Sequence, residues 1–187
     1  LRAGWRHFPC LIRRDCVRWP VLILSQGNPG MTDKLLCIGG ASGFWGDAAR
    51  ATPQLLDVPG LDYIVYDYLA EITMSIMARA RAQDDSKGYA VDFVSAAMKP
   101  NLAGIAARGI KVISNAGGVN PLACADALRA LVKEQGLDLS VACVVGDDLM
   151  GAAAELAAAG TTEMFSGEPF PAVSKLQSIN AYLGALP

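Results

Sequence analysis

From position 31 onward, short apolar runs rich in β-formers alternate with longer Ala- and Leu-rich stretches of helical spacing. That rhythm is the signature of βα units built around a parallel sheet. Four runs read as strands, at 34–38, 62–66, 110–114 and 139–145, each short and apolar enough to be buried on both faces. The intervals read as helices, most clearly 69–81, where Leu69, Ile72, Ile76 and Met77 fall on one face, then 91–108 and 121–135. Gly109 and Gly136 stand where a helix C-cap should, and Pro100 splits or kinks the second helix. After Asp148 a further helix runs over 152–159 to Gly160, 161–165 reads as a short strand, and 172–187 has a helical middle. The predicted class is therefore α/β, an open and mostly parallel sheet with Rossmann-like layering.

Residues 1–30 break the pattern. They show no clear periodicity, and they hold five Arg against one Asp, the sole His (His7), two of the three Trp and two of the five Cys. The turn-forming run Gln26-Gly27-Asn28-Pro29-Gly30 then leads into Met31, which looks like a natural start. Residues 1–30 are expected to be an extension outside a partial α/β domain at 31–187, the competing view being an extra strand or arm. No terminal signal closes the last segment, so the expectation is that the sequence stops inside a longer protein.

Composition narrows the partners. The chain has 187 residues, 52% hydrophobic and 18% charged, and 30 of them are Ala, so small helix-forming residues account for much of the apolar excess. The longest stretches without a charge, 19–32 and 112–125, are 14 residues each and contain Pro and Gly, too short and too broken to cross a bilayer. The net charge of -2 divides into +4 over residues 1–30 and -6 beyond them, which speaks against a nucleic-acid partner for the main body. Five scattered Cys without a C-x-x-C pair suit a reducing compartment, so the expected location is cytoplasmic, and one His leaves no zinc site. An open sheet with exposed edges also favours a homo-oligomer.

In an open parallel sheet the ligand sits beyond the carboxyl ends of the strands, so the residues after each strand are the candidate site. After the first come Gly39, Gly40, Ser42, Gly43, Trp45, Gly46 and Asp47, a glycine-rich run that fits either an anion-binding nest or a tight strand-to-helix turn. It is neither the dinucleotide fingerprint nor a P-loop. After the second come Asp67, Tyr68 and Glu71. The two carboxylates suit acid/base work or Mg²⁺, with helix capping by Asp67 as the plain alternative, and Tyr68 is either core or ligand-facing.

The third loop offers Asn115, Gly117, Gly118 and Asn120, with Pro121 at the first helical position, an arrangement that points free amides and a positive dipole end at an oxyanion. Cys124 falls in the first turn of that helix, as a favoured thiolate or a buried inert thiol. The fourth loop carries Asp147 and Asp148, suited to hydroxyls, metal or general base, or to capping. No His or Lys stands at these strand ends, which excludes a Ser-His-Asp scheme. Asp67, Glu71 and Asp147 are the catalytic candidates and the other residues of these loops the ligand-binding ones. The cofactor is unknown, with Mg²⁺ possible and no dinucleotide signature.

The stretches IGGASGFWGD, LDYIVYDYLAEITMSIMARA, GIKVISNAGGVNP, VVGDDL and FSGEPFP, together with LQSINAYLGA, resemble the amino-terminal part of the acyclic terpene utilisation family, the AtuA type. The resemblance covers nearly all of residues 31–187. It implies a role in catabolism of citronellol- and geraniol-like terpenes through acyl-CoA thioesters, with an acyl-CoA or terpenoid acid as the small-molecule partner, and implies no defined reaction. Hydrolase or lyase chemistry fits better than hydride transfer, because the dinucleotide fingerprint is absent. The alternative is a non-catalytic ligand-binding or scaffold subunit of a terpene-catabolic system.

Overall fold

Three short parallel strands centre the fold: β1 (Ile38–Ser42), β2 (Tyr63–Tyr66) and β3 (Lys111–Ser114), hydrogen-bonded in the order β1-β2-β3. The computed structural model describes residues 36–42 and 45–184. Residues 1–30, read as an extension, lie outside them, and the described residues belong to one compact unit, Leu35–Pro187. Helices alternate with the strands: α1 (Ala48–Leu56), α2 (Glu71–Gln83), a π-helical segment (Phe93–Met98), α3 (Leu102–Ala107), α4 (Pro121–Glu134) and α5 (Ala153–Ala158). The sheet is open and the class is α/β, as the periodicity predicts. No described helix is long and apolar enough to cross a membrane.

Register decides which side chains form the core. Ile64 of β2 pairs with Gly39 and Val112, while Val65 pairs with Gly40 and Ile113 on the alternate face. A register irregularity between Gly40 and Ser42 then sets Ser42, rather than Ala41, opposite Tyr66. Ile64 and Tyr66 are fully buried with Met77, Phe93 and Met98, and Thr52 Oγ1 bonds the Tyr66 hydroxyl at 2.8 Å, so both buried hydroxyls are satisfied. Ile38 and Ile113, on the face of Val65, keep 60% and 55% of their surface exposed.

The first strand lies later than its apolar run predicts. Gly39 and Gly40, assigned to the loop, are strand residues, and Lys34 and Leu35 lie outside the described residues. The glycine leaves room for packing: a Cβ on Gly39 would stand 2.7 Å from Leu55 Cδ2 and 3.3 Å from Leu61 Cδ1, so the Leu55 side chain at the end of α1 lies close against the strand at position 39.

The predicted fourth strand, 139–145, forms no ladder among the described residues. Val144 and Val145 are left exposed, and the Val141 carbonyl accepts from Arg129 Nη2 at 3.1 Å instead of from a neighbouring strand. An apolar run becomes a strand only when another strand takes its backbone groups. The chain pairs instead through an antiparallel bridge between Asp148 and Asn180, with Leu149 N donating to Ile179 O and Ala181 N to Asp147 O, both at 2.8 Å. Likewise 161–165 contributes the bridge of Thr162 to Pro169, and the described part of 172–187 carries a 3₁₀ turn, Val173–Lys175, and the Asn180 bridge where a helix is expected.

The helices form where their spacing predicts, but the expected apolar face of α2 is not buried as a unit: Leu69 precedes the helix, and Ile72 and Ile76 stay exposed while Met77 is buried. Gly109 and Gly136 adopt φ of +64° and +63°, as C-caps require. Pro100 divides the 91–108 stretch, whose first half is wound as a π-helix, with Lys99 N donating to Val94 O at 2.9 Å.

Candidate functional site

The carboxyl ends of all three strands are tied together by two side chains. Ser42 at the end of β1 donates its Oγ to the Asp67 carbonyl at 2.8 Å and accepts from the Asp67 amide at 2.9 Å. Asn115 just beyond β3 accepts from the Tyr68 amide through Oδ1 and donates through Nδ2 to Asp67 Oδ1, both at 2.7 Å. Asp67 Oδ1 also receives the Leu69 amide at 3.4 Å, whereas Oδ2 makes none of these bonds, and the residue is exposed. Asp67 does not cap α2. That position falls to Ala70, and Thr73 Oγ1 accepts from the Ala70 amide at 2.7 Å in place of a side-chain cap. Glu71 stands exposed in the first turn of α2.

The loop before α4 is built differently from its sequence reading. Asn120 occupies the N-cap position and Pro121 follows it, but the Asn120 side chain does not cap: Nδ2 donates to the carbonyls of Asp85 at 2.8 Å and Lys87 at 2.7 Å. The amides expected to face an oxyanion are partly consumed, Gly118 N by Asn115 O at 3.2 Å and Asn120 N by Gly117 O at 2.9 Å. Val119 N donates to Gly88 O at 2.9 Å. The turn therefore fastens residues 85–88 to the strand ends. Its glycines answer to sterics: a Cβ on Gly117 would lie 2.8 Å from Pro121 Cα, and one on Gly118, at φ +52°, would meet Met77 Sδ and lie 2.8 Å from Gly88 O.

Beside this turn a cleft of about 140 Å³ gathers Gly118, Asn120, Asp147, Asp148 and Asn180 around Arg81. Asp147 Oδ2 accepts from Asn180 Nδ2 at 2.9 Å, and Asp148 Oδ1 from the Met150 amide at 2.9 Å. Asp148 Oδ2 lies 3.8 Å from Arg81 Nη1, which also donates to Val119 O. Both partners of this ion pair are about half exposed, so it contributes under about 1 kcal/mol and serves mainly to place Arg81. Arg81 is absent from the sequence reading because it sits far along α2 from any strand end. Among the described residues no three His, Cys, Asp or Glu side chains converge as metal ligands. Cys124 is a buried thiol, pushed up to about 12 first by burial and then by Cys143, and so is inert rather than thiolate.

A larger space than this cleft lies elsewhere among the described residues. A cavity of about 450 Å³ lies between α2 and the π-helical segment, lined by Trp45, Ile76, Met77, Lys87, Tyr89 and Asp92 among others. Behind its wall Tyr68 is 3% exposed, its ring edge-on to Trp45 at 6.4 Å and to Phe93 at 5.7 Å. The Tyr68 hydroxyl and Asp92 Oδ1 are buried without a hydrogen-bond partner of good geometry. Burial, then the charge of Asp92, drives Tyr68 ionisation upward, so Tyr68 remains a hydroxyl. Burial also raises the Asp92 carboxyl, and the nearby Trp45 and Tyr68 side chains offset this only in part. Gly46, at φ +113°, turns the chain between Trp45 and Asp47, and Asp47 holds the N-cap position of α1. Gly43 lies outside the described residues. Sequence reasoning missed Asp92, although it is the one charged residue in the run YAVDFVSAAM at 89–98.

A pH signature follows. A carboxyl raised on folding contributes its full stability below the ordinary value of 3.8 and loses it as pH rises through the raised value. Asp92→Asn is therefore expected to melt about 2 °C higher than the unaltered protein at pH 7, the difference vanishing near pH 3. Asp84 and Glu163, held low by hydrogen bonds from Ser86 and Ser166, drive the opposite trend in both proteins. Paired melting curves from pH 3 to 8 check the difference, and a gap independent of pH would contradict it.

Comparison with known proteins agrees with the motifs. No curated protein and no solved structure matches the chain significantly. The model of a family described as acyclic terpene utilisation family protein AtuA matches residues 36–187, a span that includes every strand, helix and cleft described above. The chain belongs to the acyclic terpene utilisation family of the AtuA type.

Proposed function

We propose that the protein is a cytoplasmic enzyme of acyclic terpene or branched acyl-CoA degradation, acting on an acyl-CoA or a carboxylate-bearing terpenoid. The observation that carries this reading is the cavity of about 450 Å³, a volume usual for small-molecule sites. Ile76, Met77, Tyr89 and Trp45 give it apolar walls for an acyclic chain, each buried methylene contributing about 0.8 kcal/mol. Lys87, exposed and among its lining residues, supplies a cation for a carboxylate or for the phosphates of CoA. Asp67 at the strand ends, with Oδ2 outside the bonds there, is the leading acid/base candidate; Glu71 in the first turn of α2 and Asp147 in the cleft around Arg81 are the others, and none of the three lines this cavity. Hydrolysis or a lyase step suits such carboxylates, and Mg²⁺ is compatible with them. Free thiols at Cys37 and Cys124 fit a reducing compartment.

Thermal shift of the full chain with octanoyl-CoA and with a branched terpenoid acid tests this. A ligand bound only by the folded state at 100 times its Kd adds about 2.7 kcal/mol, so both are expected to raise Tm by at least about 5 °C. Lys87→Glu should cancel most of the rise, and absence of any shift would contradict the reading. A non-catalytic ligand-binding or scaffold subunit is favoured by one feature, that the carboxylates of Asp67, Asp147 and Asp148 all accept hydrogen bonds that hold the fold. Release of free CoA thiol by the purified chain alone separates the two.

A further inference from the structure

The cavity of about 450 Å³ and the cleft around Arg81 share a wall. Met77 lines the cavity, and a Cβ on Gly118, which lines the cleft, would meet its Sδ. Gly88 lines the cavity too, and a Cβ there would stand 3.0 Å from Arg81 Cβ and 3.1 Å from Asn120 Cβ, both residues of the cleft. Asn120 Nδ2 also donates across the wall to the Lys87 carbonyl at 2.7 Å. At Gly88 the wall is thus one residue thick, with Ile76, Tyr89 and Val91 on one side of it and Arg81, Asp147 and Asp148 on the other.

Resting on the reading of the cavity as the site of an acyclic acyl chain, we infer that the two clefts are halves of one site, the chain filling the cavity and the thioester carbonyl of an acyl-CoA taking the Arg81 cleft. Arg81 can reach such a group: its side chain is 43% exposed, and among the described residues its bond to Val119 O and its pairing with Asp148 both run through Nη1, which leaves Nε and Nη2 to donate to a carbonyl oxygen. A free carboxylate is less well matched, because two carboxylates already stand there against one guanidinium. The ligand is therefore the thioester rather than the acid. Its carbonyl then shares a cleft with Asp147, an acid/base candidate that the cavity by itself lacks.

Isothermal titration of the full chain with octanoate, which has the chain alone, acetyl-CoA, which has the head alone, and octanoyl-CoA tests the inference in two variants. Arg81→Gln is expected to weaken acetyl-CoA and octanoyl-CoA at least about tenfold, as loss of a hydrogen bond from a charged group allows, and to leave octanoate within about twofold. Ile76→Glu, at an exposed residue of the cavity lining, should weaken octanoate and octanoyl-CoA by as much and spare acetyl-CoA. Octanoyl-CoA should thus respond to both variants. A structural role for Arg81 would weaken all three ligands alike; that result, or octanoyl-CoA unmoved by Arg81→Gln, overturns the inference and leaves the cavity reading standing. Octanoyl-CoA unmoved by Ile76→Glu, or without saturable binding at all, overturns both.

Discussion

Gly118→Ala is expected to cost roughly 3 kcal/mol of folding stability, about 1–2 from the left-handed backbone at φ +52° and the rest from contact. The new methyl would meet Met77 Sδ and lie 2.8 Å from the Gly88 carbonyl. Neither can yield cheaply. Met77 is 1% exposed, and Gly88 O already accepts the Val119 amide that ties residues 85–88 to the turn. Relief requires α2 to move away from the strand ends, so the wall of the cavity that Ile76 and Met77 form is lost as well. For a chain of this length the loss corresponds to a fall in Tm of about 6–12 °C. Gly136→Ala is the control: its φ is +63° but a methyl there meets nothing within 4 Å, so only the backbone cost of about 1 kcal/mol remains. Urea unfolding of the two variants measures the difference, and equal losses would show that the Met77 and Gly88 contacts impose no constraint.

Asn115→Ala is expected to cost about 2 kcal/mol and to impair the site more than the fold. It removes the donor to Asp67 Oδ1 and leaves the part-buried Tyr68 amide without its acceptor, two bonds of which one is charge-assisted. Ser42 still holds Asp67 from the other side, so β2 stays in register while Asp67 and the Tyr68 backbone gain freedom. Affinity for octanoyl-CoA should therefore fall at least about tenfold in a protein that still melts cooperatively, since misplacing recognition groups costs more than the lost bonds. Unchanged affinity with the stability loss present would separate the strand-end network from ligand binding.

The sheet was legible because β2 is a continuous apolar run and β3 centres on the β-branched pair Val112-Ile113, with helix-forming stretches between, and the glycines at 109 and 136 announce the helix caps. β1 was misplaced because glycine in a strand resembles a loop until one sees Leu55 pressed against position 39. Residues 139–145 have strand composition but join no ladder among the described residues, and ladder pairing is a property of the whole fold rather than of the segment.

The candidate site divides the same way. Ser42, Asp67, Tyr68 and Asn115 stand together at strand ends, where topology alone directs attention, and their bonds join three loops. Arg81 and Asp92 lie on helices that follow the loops, and they reach the clefts through the course of α2 and the π-helical segment, which no local pattern encodes.

The central claim, that the cavity between α2 and the π-helical segment holds the acyclic chain, is tested most directly by photo-crosslinking. The full chain is irradiated with octanoic acid bearing a terminal diazirine, and the labelled residues are mapped by peptide mass spectrometry. Labels at Trp45, at Ile76 or Met77, and within 87–95, suppressed by excess octanoyl-CoA, are the predicted result. Labels confined to other surfaces, or undiminished by the competitor, would contradict it.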